Sequence, residues 1–350
     1  MRDRDWGEAL RNAYNRWARE NSKPTNNGIT FPSGIKAESE EGGVRLTMSS
    51  VGNLRKDGTR KPPPVCQNMQ TDSAAFESWA LALKLWLGED KHINKVTLRW
   101  DKPSPEITHS DGRYTKEGCH YERFLYRVSV FGRMFDWFEV AQESETLLRA
   151  SRSVHSSRLW LNVPKLPRDA KAADGPLDEL PENDLEKHLA QSISFKEKMR
   201  LAAFPARQLP VGLFDSLPIS DSCRVFPGGG AAIDLLGTRE DGRLVVFELK
   251  KGTNSGKKKK YQAGILSELL LYAALLREAA EGDDRISFAG THDWSDTLKI
   301  STGVHGVMLA FQFHPLLMHP ELISTLNCGA RRAWIRKPVT FDQVYVESSW

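Results

Sequence analysis

At 350 residues the chain exceeds what one ordinary core organises, so length alone predicts about two domains. With 40% hydrophobic and 27% charged residues it reads as globular, and no apolar run approaches the ~18 residues of a membrane span, so no membrane partner is expected. The formal charge of +4, from 49 basic against 45 acidic residues, permits local patches for a nucleic-acid partner without demanding one.

The first elements are helices. In "WGEALRNAYNRWARE" Trp6, Leu10, Tyr14 and Trp17 recur at helical spacing, as do Phe76, Trp79, Leu83 and Trp86 in "AAFESWALALKLWLGE". The basic segment between them, "SVGNLRKDGTRKPPPVC", reads as a solvated loop, although its cations could touch phosphates. "GVRLTMSS" and "KVTLRWD" read as strands, and "RFLYRVSVFGRMFDWFEVA" as a hairpin turning at Phe131-Gly132-Arg133. The aromatics of this region could stack bases, but their spacing assigns them to a core. Residues 1–165 are therefore expected to form a mixed α+β domain, a candidate for substrate recognition. "PKLPRDAKAADGPLDELPEN" has four prolines and no apolar period, and residues 166–181 within it are read as a linker.

From residue 182 to 350 a second domain is expected. "ENDLEKHLAQSISFKEKMRLA" reads as one helix with Leu185, Leu189 and Ile193 on a stripe, and acids in its first turns favour its dipole. The short strand "CRVF", the strands "AAIDLLG" and "VVFELKK", the lysine-rich loop "KKGTNSGKKKK", the long helix "YQAGILSELLLYAALLREAA" and the strand "GVHGVMLAFQFH" follow. The order is helix, three strands, helix, strand, an α/β arrangement. Cys66, Cys119, Cys223 and Cys328 stand far apart without a C-x-x-C pair, which argues against a zinc ribbon and a disulfide framework. The first twenty residues lack the apolar core and cleavage site of a secretory signal, so the expected location is cytoplasmic.

The charges at the end of "VVFELKK" raise the chemical question. Glu248 and Lys250 follow an apolar run, Asp234 lies one turn away, and ionised groups withdrawn from water cost several kcal/mol unless paired or metal-bound. The turn "TREDGR" carries an Asp-Gly hairpin signal, and Asp241 is equidistant from Asp234 and Glu248. An odd loop centred on Asp241, of three residues (Glu240 to Gly242) or five (Arg239 to Arg243), makes the two acids cross-strand neighbours, with Gly242 free to take a left-handed conformation. A two-residue turn would instead send Asp234 to the far face. Alternation puts Glu248 and Lys250 on one face, with the Leu249 carbonyl near the acids. Such an oxygen-only set suits Mg2+ or Mn2+ better than zinc.

Asp234 followed by Glu248-Leu249-Lys250, between an acid-bearing helix and a long helix, resembles the PD-(D/E)XK phosphodiesterase superfamily over about residues 180–315. The resemblance implies a restriction-endonuclease-like core and a glutamate from the upstream helix in the pattern E-x-x-L-x-x-x-L. Glu182 is favoured for it, with Glu186 as the alternative. RecB-like relatives also carry a Gln and a Tyr four residues apart after the lysine; here Gln262 stands at that spacing from Leu266, and Glu268 from Tyr272. By this resemblance Asp234, Glu248, Glu182 and the Leu249 carbonyl hold Mg2+ or Mn2+, and Lys250 orients the nucleophile or meets developing charge. Lys251 and Lys257, Lys258, Lys259 and Lys260 are candidate nucleic-acid contacts. The expected function is a metal-dependent nuclease, DNA favoured, in anti-phage defence, restriction or repair. The alternative is an inactive nucleic-acid-binding or scaffold protein with the same fold. Residues 1–165 match no known family pattern.

Overall fold

The structure, a computed structural model, describes residues 3–26, 28–54, 56–154, 159–162, 175–203, 205–226, 232–251, 262–281, 286–288 and 299–350. Two compact units divide the chain. Met1–Arg152, Gln262–Ser267 and Phe313–Thr325 make the first; Ser153–Tyr261, Glu268–Gln312 and Leu326–Trp350 make the second. The sequence placed a single boundary within 166–181, whereas the first division falls at Arg152/Ser153 and two later segments return to the first unit. The chain is mixed α/β, and among the described residues no helix is long and apolar enough to cross a membrane.

The first unit contains, in order, α1 (Asp3–Glu20), β1 (Ile35–Glu40), β2 (Gly43–Met48), α2 (Phe76–Leu87), β3 (Lys95–Trp100), the short α3 (Pro105–Thr108), β4 (His109–Ser110), β5 (Arg113–Tyr114), α4 (Lys116–Met134), β6 (Phe138–Val140) and α5 (Gln142–Val154). Its sheet has the order β1-β2-β3-β6, with β1 antiparallel to β2 and the other three strands parallel. Helices α2 and α4 are the crossovers that parallel neighbours require. Trp6, Tyr14, Phe76, Trp79 and Trp86 are buried, as the helical spacing predicted.

The hairpin expected at Phe131-Gly132-Arg133 is corrected: these residues lie inside the 19-residue helix α4. Phe124, Val128 and Phe131 are buried and follow one another at helical intervals, so an aromatic and β-branched run satisfied both periods and packing selected the helical one. The Thr115 hydroxyl caps the helix by accepting from the Gly118 N–H. Arg127 donates to both oxygens of buried Glu77, at 2.6 and 2.7 Å, which ties α4 to α2.

The second unit contains β7 (Leu159–Asn162), α6 (Glu182–Gln191), α7 (Ile193–Lys198), β8 (Ala206–Pro210), β9 (Gly212–Phe214), β10 (Arg224–Phe226), β11 (Ala232–Thr238), β12 (Leu244–Lys250), α8 (Ile265–Glu281), β13 (Ile286–Phe288), β14 (Val304–Ala310), α9 (Leu322–Ala333) and β15 (Val339–Tyr345). A five-stranded mixed sheet has the order β15-β14-β12-β11-β8, and a four-stranded one the order β10-β9-β7-β13. In the larger sheet β12, β14 and β15 run parallel, while β11 is antiparallel to both of its neighbours. Five strands, β8 to β12, therefore separate α6 and α7 from α8, where three were expected.

The single helix expected from residue 182 breaks at Ser192. Its hydroxyl accepts from the Phe195 N–H and starts α7, leaving Ile193 64% exposed while Phe195 takes the buried place. Leu185, Leu189 and Phe195 pack with Leu235, Phe247, Leu249, Val307 and Trp350 in one apolar core. Burial of each such side chain contributes roughly 1.5–3 kcal/mol, so the face of β12 carrying Phe247 and Leu249 is fixed inward. The alternate face, with Glu248 and Lys250, is fixed with it.

Candidate active site

The β11–β12 hairpin sets the site's register. Thr238 pairs with Leu244 and Leu235 with Phe247, which leaves a five-residue loop, Arg239 to Arg243, the longer of the two odd loops expected. Gly242 has φ 82°, the left-handed region that favours glycine. Asp241 accepts from the Arg243 N–H at 3.2 Å and from its guanidinium at 2.6 Å, and these contacts bring its carboxyl down to about 2. The loop is thus closed by its own side chains.

Beyond Leu235 and Phe247 the ladder gives way to a side chain. Asp234 Oδ2 accepts from the Leu249 N–H at 2.7 Å, so the carboxylate satisfies a buried backbone donor. The main chain of Leu249 is tied to the site through this N–H.

Lys250 gathers the acids. Its Nζ lies 3.1 Å from Glu268, 3.8 Å from Glu182, and 3.9 Å from both Asp234 and Glu248. Strand alternation brings Glu248 to the lysine, the hairpin brings Asp234, and the helices α6 and α8 bring Glu182 and Glu268. The Glu182 side chain is 40% exposed while the other three carboxylates are almost fully buried, so the cluster opens to solvent at Glu182. Glu182 also accepts from the Lys251 N–H at 3.1 Å, which holds the start of α6 to the end of β12.

Burial and crowding of like charge govern the titration. Burial, then the charges of Asp234 and Glu268, push Glu248 well above the ordinary carboxylate range, and its close approach to Asp234 adds to the rise. Burial likewise carries Asp234 up to about 6, against the pull of Lys250. For Lys250 burial opposes the charge, but Glu268, Asp234, Glu248 and Glu182 outweigh it and keep the ammonium protonated.

Glu186, the alternative helix acid, lies one turn from Glu182. Burial and the charge of Asp234 raise it to about 7, and the Gln208 amide donates to it at 2.5 Å, with Arg207 at 3.8 Å. Gln208 and Arg207 belong to β8, a five-residue strand that the sequence reading missed.

The remaining sequence candidates separate. The Lys251 ammonium donates to the Leu180 carbonyl. Lys257, Lys258, Lys259 and Lys260 lie outside the described residues. Gln262 is exposed and belongs to the first unit, while Tyr272 is buried on α8 one turn after Glu268. Of the accessory residues, Glu268 alone has its carboxylate against Lys250.

Among the described residues no group of three or more His, Cys, Asp or Glu side chains is placed so that it could hold a metal ion. The carboxylates turn instead toward the lysine ammonium. Four carboxylates face one ammonium, and every donor in the set is oxygen, a donor type that hard divalent cations prefer to nitrogen or sulfur.

The raised carboxyls make stability depend on pH in a defined direction. A buried acid whose folded pKa exceeds its unfolded one binds protons more readily in the folded state, so its contribution to stability falls as pH rises between the two values. For Glu186 that window runs from 4.5 to about 7. His120, His305 and His314, all lowered by burial, act in the opposite sense below 6.5, so the comparison must be with a variant. Glu186→Gln is expected to match the native chain in melting temperature near pH 5 and to exceed it near pH 8, measured in EDTA. An equal offset at both pH values contradicts the raised carboxyl.

No protein-family model, curated protein or solved structure matches the chain, and its function must be argued from the chemistry of these side chains.

Proposed function

We propose that the chain is a metal-dependent phosphodiesterase acting on nucleic acid, with DNA the favoured substrate, and that the five-stranded sheet with α6 and α8 is a restriction-endonuclease-like core of the PD-(D/E)XK type. The observation that carries the reading is the convergence of Asp234, Glu248 and Glu182 on a buried Lys250, in a cluster that opens to solvent at Glu182. An ordinary surface ion pair would not gather four acids about one lysine. Buried charge of this kind destabilises a fold that has no use for it.

Asp234, Glu248 and Glu182 would hold Mg2+ or Mn2+, with the Leu249 carbonyl as a further oxygen. When bound, such an ion lowers the pKa of water and offsets charge on a phosphoryl group. Lys250 remains protonated and donates to the oxygen on which negative charge develops. Glu268 positions that ammonium. Glu182, at the open side, meets the incoming backbone first.

Restriction, anti-phage defence or repair, in the cytoplasm, are the settings that suit this chemistry. The test is cleavage of single-stranded DNA, duplex DNA and RNA with Mg2+, with Mn2+ and with EDTA. Metal-dependent cleavage of one substrate that EDTA abolishes is the expected result. Binding without cleavage under all three conditions would favour the inactive nucleic-acid-binding reading, in which Lys250 serves only as the internal counter-ion.

A further inference from the structure

The first unit holds a cavity that the phosphodiesterase reading does not use. Small ligands bind in concave sites lined by a few convergent polar groups. The loop after β2 contributes Ser50 and Gly52, and the loop after β3 contributes Lys102 and Ser104, to the wall of a cavity of about 670 Å³. That volume falls in the range of roughly 300–1,000 Å³ typical of small-molecule sites.

The basic segment read from sequence as a solvated loop contributes Arg60, Lys61, Pro62 and Pro63 to this wall. The Lys61 N–H donates to the Asn53 carbonyl at 2.8 Å, and the Arg60 guanidinium to the Gly52 carbonyl at 3.1 Å. Gly52 is so close to the backbone opposite that a Cβ there would stand 1.5 Å from the Lys61 carbonyl oxygen. On the other side Thr115, which caps α4, completes the wall.

Charges of both signs line the space. Arg60, Lys61 and Lys102 are exposed and form no ion pair among the described residues, while Glu106 and Glu117 also face the cavity. A simple anion would meet both signs. A molecule with a phosphate for the cations, and with hydroxyl or amino donors for the carboxylates, satisfies both. The β4–β5 hairpin lies between Ile107 and Thr115 of this wall and sets the His109 ring against Tyr114, with centroids 4.6 Å apart.

We propose that this cavity binds a nucleotide unit, its phosphate held by Arg60, Lys61 and Lys102. The unit is either a free nucleotide or the 5′-phosphorylated end of a single strand. The assignment does not depend on phosphodiesterase activity. The experiment measures binding to the full chain in EDTA with AMP, inorganic phosphate, and a short single-stranded oligonucleotide with and without a 5′-phosphate. It uses the native chain, the double variant Lys61→Glu/Lys102→Glu and the control Lys91→Glu, all three checked for equal melting temperature.

Binding of AMP, or of the phosphorylated oligonucleotide in preference to the unphosphorylated one, weakened about tenfold or more in the double variant and unchanged in the control, is the expected result. AMP binding identifies the free nucleotide as the ligand, and binding of the phosphorylated strand alone identifies a strand end. The proposal is overturned if neither binds, if the double variant binds as the native chain does, or if phosphate alone binds as well as AMP.

Discussion

Glu248→Gln is expected to abolish metal-dependent cleavage while leaving the metal-free protein folded and at least as stable as the native chain. Glu248 is fully buried and its carboxyl is held well above its ordinary range. Ionising it there costs desolvation and repulsion from Asp234 and Glu268. Glutamine keeps the shape, removes the charge and can donate to the neighbouring carboxylates, but it is a poor ligand for a divalent ion. Asp234→Ala should differ in stability. It strips the acceptor from the buried Leu249 N–H and should cost about 1–3 kcal/mol in addition to activity. Thermal melting in EDTA, run beside the cleavage assay, separates the two acids. Native-rate cleavage by Glu248→Gln would remove that residue from the chemistry.

Lys250→Met should show the reverse pattern, a large loss of stability along with loss of activity. Methionine preserves much of the volume but withdraws the ammonium that lies within 3.9 Å of four carboxylates. Breaking a buried charge cluster by deleting one sign costs about 3–5 kcal/mol. The loss should be greatest near pH 8, where the acids ionise, and smaller near pH 5, where those raised by burial take up protons. Because lysine does not ligate the ion, Mg2+ affinity measured by calorimetry should persist. An unchanged melting temperature at pH 8, or loss of Mg2+ binding, would contradict the role given to Lys250.

What could be read from the sequence followed from local rules acting over short separations. The Asp-Gly turn and the equal spacing of Asp234 and Glu248 about Asp241 allowed the hairpin register to be inferred, because odd loops and alternation leave few choices. The run at 123–141 could not be resolved in the same way: aromatic and β-branched residues favour strands locally, and burial of one stripe against α2 and the sheet outweighed that preference. Strands β8 to β10 were hidden by their length of three to five residues, too short to establish a period. The return of Phe313–Thr325 to the first unit depends on long-range packing, which no window of sequence contains. Glu268 was visible only as a member of an imperfect accessory pair, since a helical acid declares its partner only once the helix is docked.

The bond between Asp234 and the Leu249 N–H gives the site a built-in reporter. One carboxylate serves both a backbone donor near the end of β12 and the cluster around Lys250, so the two compete for the same electron density. Anything that draws Asp234 toward the cluster loosens that donor, and anything that withdraws from the cluster tightens it. The exchange rate of a single amide hydrogen, that of Leu249, therefore reads the state of the site from inside the protein without a substrate, a label or a turnover.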